Sequence, residues 1–193
     1  NVIDSNRLTL EKILITHAHL DHAGAVAKMA RDRNIPIIGP HIEDKFWIDG
    51  MPAQAKQYGF PEAEAFEADQ WLEHGQSVEV AGIHFDVLHC PGHTPGHVSV
   101  HITSNGEEAV ITGDMIHHPC QIAHPDWSST ADENQTDSAT TRDVFLAKYS
   151  DRPVLIIGTH FAAPTAGYIV AEQDALNTKE KENLPEQASA DSN

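Results

Sequence analysis

The stretch Thr16-His17-Ala18-His19-Leu20-Asp21-His22-Ala23-Gly24 places three imidazoles and one carboxylate within six consecutive positions. Neutral imidazole and carboxylate are ligands that suit zinc and related divalent ions. The cluster contains no cysteine, whereas structural zinc sites usually carry thiolates, so the donor set points to a catalytic centre. His17 and His19, two residues apart, point the same way from extended backbone, and Asp21 and His22 fall in the turn that enters a helix. Two ligand pairs can thus face two neighbouring ions. A histidine-rich solvated loop is the plain alternative, but this pattern directly behind an apolar run has few structural uses.

The elements that must hold these donors follow from periodicity. Ile13-Leu14-Ile15 reads as a short buried strand, and Ala23, Val26, Ala27 and Ala30 as an amphipathic helix ending near Arg33. Ile35 to Gly39 is a short edge strand, and His41 to Gly75 reads as short helices and loops. Val78 and Val80, then Ile83, Phe85 and Val87, alternate as a hairpin that Val98, Val100 and Ile102 continue. Ser104 to Glu107 supplies a turn and Ala109 to Thr112 a buried strand. Thr136 to Tyr149 reads as a helix capped by Asp137 or Ser138, with Val144, Phe145 and Tyr149 on its apolar side, before a buried strand at Val154 to Ile157. The remaining donor candidates sit where these strands end. His93 and His97 lie in Pro91-Gly92-His93-Thr94-Pro95-Gly96-His97, Asp114 follows Gly113, and His160 follows Gly158-Thr159. Glycine beside a ligand lets backbone approach an ion closely, and a strand end is a rigid support with one open side.

The 193-residue length predicts one domain, over residues 1–176, and the polar stretch 177–193 reads as a disordered tail. With 12 Lys plus Arg against 29 Asp plus Glu, the formal charge of -17 opposes nucleic acid and anionic lipid surfaces. No apolar run approaches the ~20 residues of a membrane span, and no signal peptide is evident, so a cytoplasmic location is expected. Cys90 and Cys120 are then expected to be free thiols.

Together these motifs resemble the metallo-beta-lactamase superfamily over most of residues 10–170. The resemblance implies an α/β fold, the αββα four-layer sandwich, with two metals at one edge. It implies that His17, His19 and His93 bind a first zinc, Asp21, His22 and His160 a second, and that Asp114 bridges them. His97 is then expected to orient a ligand. Two zinc ions per chain are expected, with iron or manganese as alternatives. Only 16 residues precede His17, fewer than in the family, so the N-terminal strands of one sheet are expected to be missing. Unpaired strand edges would then favour a homo-oligomer or a weakly stable monomer.

Residues 14–97 are similar to small bacterial glyoxalase II enzymes (hydroxyacylglutathione hydrolases), carrying Gly39-Pro40, Glu43-Asp44, Phe46-Trp47 and Leu88 to His97. Residues 98–170 are instead similar to the lactonase, arylesterase and methyl parathion hydrolase branch, through Asp114-Met115-Ile116-His117-His118-Pro119, His124-Pro125-Asp126-Trp127 and Gly158-Thr159-His160-Phe161. The chemistry implied is hydrolysis by a hydroxide shared between two zinc ions, with Asp21 and Asp114 as the catalytic carboxylates. His117, His118, Trp127 and Phe161 are expected to shape the substrate pocket. Three readings stay open: a small-molecule thioester or ester hydrolase, a lactone, aryl ester or phosphotriester hydrolase, and a metal-binding fragment without catalysis.

Overall fold

The computed structural model describes residues 2–171, so the tail expected over 177–193 lies outside the described residues. After a short helix, α1 (Val2–Ser5), the chain forms β1 (Ile13–Leu14), α2 (Leu20–Ala23), α3 (Val26–Arg33) and β2 (Ile37–Ile38). Next come α4 (Lys45–Tyr58), β3 (Ser77–Val80), β4 (Ile83–His89), β5 (Val98–Ser104) and β6 (Glu107–Ile111). The chain continues through α5 (Cys120–Ala123), α6 (Gln135–Tyr149), β7 (Val154–Ile157) and β8 (Ala166–Gly167). β1 and β2 pair in parallel, Ile13 opposite Ile37. β3 to β8 form a second sheet in chain order, antiparallel throughout except for the parallel pair β6 and β7.

Four layers result, the αββα sandwich expected from the motifs. On one outside, Val26 of α3 and Met51 and Ala55 of α4 pack on Ile15 and Ile37 beside the small sheet. Between the sheets, Ile38 and Leu72 meet Val78, Val87 and Val98. On the other outside, Phe145 and Tyr149 of α6 cover Val110, Val154 and Ile156. Burying a side chain such as Phe145 contributes roughly 1.5–3 kcal/mol by removal of apolar surface from water.

Turn chemistry sets the hairpin registers. Ala81 and Gly82, at φ 52° and 78°, join β3 to β4, and Asn105 and Gly106, at 53° and 82°, join β5 to β6. Both pairs have the positive φ values of the turns whose twist suits two-residue hairpins.

Three expectations are corrected. The segment from His41 to Gly75 holds a 14-residue helix, α4, rather than only short pieces. Ile48, Met51 and Ala55 are buried along it at helical spacing, while Gly50 and Pro52 disguise the pattern. Pro52 lacks an N–H, so the helix forgoes the bond that this position would donate to the carbonyl of Ile48. The cap of α6 is Asn134, whose side chain accepts from the backbone N–H of Thr136 and Asp137. Val144 is exposed, and the inward face of α6 is Ser138, Arg142, Phe145 and Tyr149, half of it polar. Among the described residues no helix is long and apolar enough to cross a membrane. Cys90 and Cys120 are both free thiols.

Candidate metal centre

β1 delivers the chain to His17, and Val98 N–H donates to Thr16 O at 2.8 Å, joining this loop to the start of β5. Cys90 N–H donates to His97 O at 2.8 Å and closes the loop that carries His93. The parallel strands β6 and β7 end side by side, one leading to Asp114 and the other to His160. Four loops thus bring donors to one edge of the sandwich.

Asp114 Oδ2 lies at the middle of the cluster. Five imidazole Nε2 atoms surround it: His160 at 2.9 Å, His22 at 3.1 Å, His117 at 3.5 Å, His93 at 3.6 Å and His17 at 3.8 Å. His19 joins through His17 and His93, and Asp21 through His22 and His160, each group having donor atoms within 4.8 Å of one another. His17, His93 and Asp114 are buried, whereas Asp21 is exposed.

Burial dominates the electrostatics. It lowers the pKa of His17 well below that of a free imidazole, reinforced by the neighbouring rings of His97, His22 and His93. Burial likewise pushes His19 down to about 4. For His22, burial opposes the charged form, but the hydrogen bond and charge of Asp114 outweigh it and raise the pKa. Asp114 also pays for burial, yet its contacts with His22, His160 and His93 hold the carboxyl well below the usual carboxylate range. A single carboxylate among mostly neutral imidazoles is the protonation state that divalent ions require of their ligands.

Surrounding groups turn the donors inward. Thr16 Oγ1 lies 3.1 Å from His17 Nδ1 and Asp132 Oδ1 lies 3.1 Å from His93 Nδ1. In both rings the outer nitrogen is engaged and Nε2 faces the cluster. Burial opposes ionisation of Asp132, but its bonds from His93 and from Ser129 N–H outweigh it and lower the pKa. Arg142, fully buried, donates to Pro125 O at 2.8 Å and Ser138 Oγ at 2.8 Å, and lies 3.5 Å from Asp132 Oδ2. Asp44, buried too, accepts from Ala18 N–H at 2.9 Å, Thr94 Oγ1 at 2.8 Å and Gly96 N–H at 2.6 Å. It thereby ties the His17 loop to the His93 loop. His97 Nε2 accepts from the backbone N–H of Asp114 at 2.9 Å, so it holds the backbone of that residue instead of another ring. Gly113 (φ +57°) permits this approach, since a Cβ there would stand 2.6 Å from His97 Nε2.

All seven donors named from the sequence meet at this edge. The expected pocket residues divide. His117 joins the cluster itself, as a group with His93 and Asp114. His118 Nδ1 accepts from Cys120 N–H at 3.1 Å, and Trp127 stacks on His124 at 4.2 Å with its ring exposed. Phe161 is buried in the core below α6, its ring against Gly158, and does not face the cleft. Asp44 and Trp47 stand in the motifs Glu43-Asp44 and Phe46-Trp47 that carry the resemblance, but their sequence context gives neither a role; Asp132 and Arg142 carry no sequence signal beyond an ordinary charged residue. A second cluster, His41, Glu43 and His89, has its nitrogens engaged: His41 Nδ1 accepts from Glu43 N–H at 3.3 Å, and His89 Nε2 lies 2.8 Å from Pro95 O.

A cleft of about 510 Å³ opens beside the cluster, with His19 and Asp21 at its base. α4 contributes Trp47 and Tyr58, Phe60 follows, and residues 130–133 complete it. Trp47 meets His19 edge to face at 4.8 Å, and its Nε1 donates to Glu133 Oε2 at 3.2 Å.

The donor set fits divalent metal ions. His17 Nε2, His93 Nε2 and Asp114 Oδ1 are buried with no hydrogen-bond partner. Buried polar atoms seldom go unpaired, and three within one cluster of imidazoles and a carboxylate are suited to a ligand. Zinc ligands at 2.0–2.1 Å in tetrahedral arrangement stand roughly 3.3 Å apart, close to the spacings around Asp114 Oδ2.

Compared with known families, residues 2–160 match the Metallo-beta-lactamase superfamily. The chain is 32% identical over 178 residues to the hydroxyacylglutathione hydrolase GloC of Haemophilus influenzae, covering 92% of this chain and 81% of that protein. Among solved structures it resembles AidC, a dizinc quorum-quenching lactonase, with TM-score 0.65 at 22% identity over 86% of this chain and 62% of that one. It resembles TTHA1623 in a di-iron-bound form equally, with TM-score 0.65 at 23% identity over 86% of this chain and 76% of that one. At these identities the two structures speak for the fold alone.

Proposed function

We propose that this chain, which belongs to the metallo-beta-lactamase superfamily and is a metallo-hydrolase, cleaves a thioester or ester bond with two zinc ions held at the Asp114 cluster. The observation that carries the reading is the convergence of five Nε2 atoms on Asp114 Oδ2 while His17 Nε2, His93 Nε2 and Asp114 Oδ1 lack any other partner. His17, His19 and His93 would hold one ion, Asp21, His22 and His160 the other, and Asp114 would reach both. The name of the Haemophilus influenzae relative, a hydroxyacylglutathione hydrolase, favours a thioester.

When bound, such a pair supplies Lewis acidity and lowers the pKa of water toward about 7. The chain's own residues supply the rest. Thr16 and Asp132 fix the orientation of the His17 and His93 rings, and His97 fixes the backbone of Asp114. Asp21, exposed beside His22 at 3.4 Å and bordering the cleft, would orient the attacking water and pass its proton to solvent. In the net reaction the water oxygen bonds to the acyl carbon, the C–S or C–O bond breaks, and a proton goes to the departing thiol or alcohol.

One observation favours the lactone or aryl ester reading as a second choice: Trp47, Tyr58 and Phe60 give the cleft an aromatic wall. The test is hydrolysis of thioesters, aryl esters and lactones by chain stripped of metal and then reloaded with zinc. Turnover that appears on loading and disappears with a chelator is expected; absence of turnover on every substrate by fully loaded chain would refute the reading.

A further inference from the structure

The cleft beside the cluster is bordered by acidic and aromatic side chains. Among the described residues its lining includes Asp21, beside His22, and Glu133, and no lysine or arginine; Asp132 also borders it, but its carboxylate is buried against His93 and Arg142. Lys45 and Lys56 belong to α4, yet neither lines the cleft. Of the cations on neighbouring elements, Lys28 pairs with Asp32, Arg31 with Glu64, and Lys45 with Asp49 and Glu67, while Lys56 is exposed on α4. Arg142 is fully buried and spends its donors on backbone carbonyls, serine hydroxyls and Asp132.

The apolar part of the cleft is equally distinct. Tyr58 and Phe60 are 65% and 55% exposed, and Trp47 is half-buried between His19 and Glu133. Large aromatic side chains left open to water beside a reactive centre are a common form of ligand-binding surface.

We propose that this cleft is the substrate site and that it takes acyl esters and thioesters whose acyl chain is apolar and whose leaving group carries no carboxylate. The inference rests on the hydrolase reading above and narrows it. A glutathione thioester carries two carboxylates and one ammonium on the leaving thiol, a net negative charge several bonds from the reacting carbonyl. In this cleft that group would meet Glu133 with no lysine or arginine among the described lining residues to pair with, and juxtaposed like charges suppress binding. An N-acetylcysteamine thioester presents the same scissile bond without charge, and its acyl chain can lie on Trp47, Tyr58 and Phe60. The similarity to a hydroxyacylglutathione hydrolase thus extends to the reacting centre and not to recognition of the glutathione peptide.

The test compares S-hexanoyl-N-acetylcysteamine with S-hexanoylglutathione on the zinc-loaded full chain. The expected result is kcat/KM at least about tenfold higher for the uncharged thioester. Binding of the corresponding non-hydrolysable thioethers, S-hexyl-N-acetylcysteamine and S-hexylglutathione, is measured alongside by calorimetry, with the same preference expected in Kd. Glu133→Lys should shrink the preference at least threefold. Equal or better use, or equal or tighter binding, of the glutathione compound would overturn the inference while leaving the hydrolase reading intact. An unchanged preference in Glu133→Lys would overturn charge as its cause. Should neither thioester be hydrolysed, the hydrolase reading fails and the thioether affinities alone decide the cleft's selectivity.

Discussion

Asp132 Oδ1 lies 3.1 Å from His93 Nδ1, and the fully buried Arg142 stands 3.5 Å from the other oxygen of Asp132. This carboxylate sits in the connection between β6 and β7, far in sequence from the histidine it orients. It holds a metal-facing ring from behind, the arrangement by which outer groups fix a ligand's tautomer and raise its basicity. Asp132→Ala is therefore expected to weaken zinc binding by about 10–100-fold. Competition with a chelator of known affinity measures this, and an unchanged affinity would remove Asp132 from the support of His93.

Asp44 joins two loops that the chain leaves separate. Its carboxylate receives three hydrogen bonds, from Ala18, Thr94 and Gly96, although burial raises its pKa and makes the charged form costly. Asp44→Ala leaves buried N–H donors unpaired, each costing roughly 1–3 kcal/mol. A loss of about 3 kcal/mol in urea unfolding is expected, and Asn at this position should restore part of it. A loss under about 1 kcal/mol would show that the loops are held by other contacts.

Gly92, at φ +132°, packs directly on α6. A Cβ there would stand 2.3 Å from the Ser138 backbone. Helix backbone cannot give way as a side-chain tip can, so Gly92→Ala must displace either α6 or the His93 loop. Loss of metal binding together with at least about 2 kcal/mol of stability is expected, since both steric overlap and a left-handed backbone conformation penalise the methyl. Wild-type zinc content and stability in the variant would contradict the packing described.

Acid should unfold the metal-free chain by way of its buried imidazoles. His97 is pushed down to about 3 and His19 to about 4, both chiefly by burial, from 6.5 in the unfolded chain. As pH falls below about 6.5 the unfolded state takes up these protons first, so the stability present at neutral pH declines until the folded values are reached. His97, fully buried, contributes a slope of roughly 1.4 kcal/mol per pH unit across that window. His22, whose pKa is raised, acts in the opposite direction and offsets part of the loss. Urea midpoints of metal-depleted protein should fall between pH 7 and pH 5; a rise would contradict the buried neutral state of His97 and His19.

The donors themselves were legible in the sequence because chemistry and spacing coincided. His17, His19, Asp21 and His22 lie behind an apolar strand, and His93, Asp114 and His160 each follow a glycine-bearing strand end. The alternation in β3, β4 and β5 and the Asn105-Gly106 turn were readable for similar reasons. α4 was not, because Gly50 and Pro52 interrupt a helix whose tertiary packing through Ile48, Met51 and Ala55 overrides propensity. Arg142 and Asp132 were hidden for another reason. A buried ion pair looks like any surface charge until the fold shows what surrounds it, and α6 therefore read as more apolar than it is. The sequence places His117 three residues after Asp114 but does not show that its ring turns back to 3.5 Å from Asp114 Oδ2.

The proposed paired metal site is tested by elemental mass spectrometry of the purified 193-residue chain beside its Asp114→Ala variant. About two divalent ions per chain are expected, and fewer than one in the variant, because the proposed site loses the carboxylate common to both ions. A chain that holds no metal when offered zinc at neutral pH, or a variant that keeps its full complement, would contradict it.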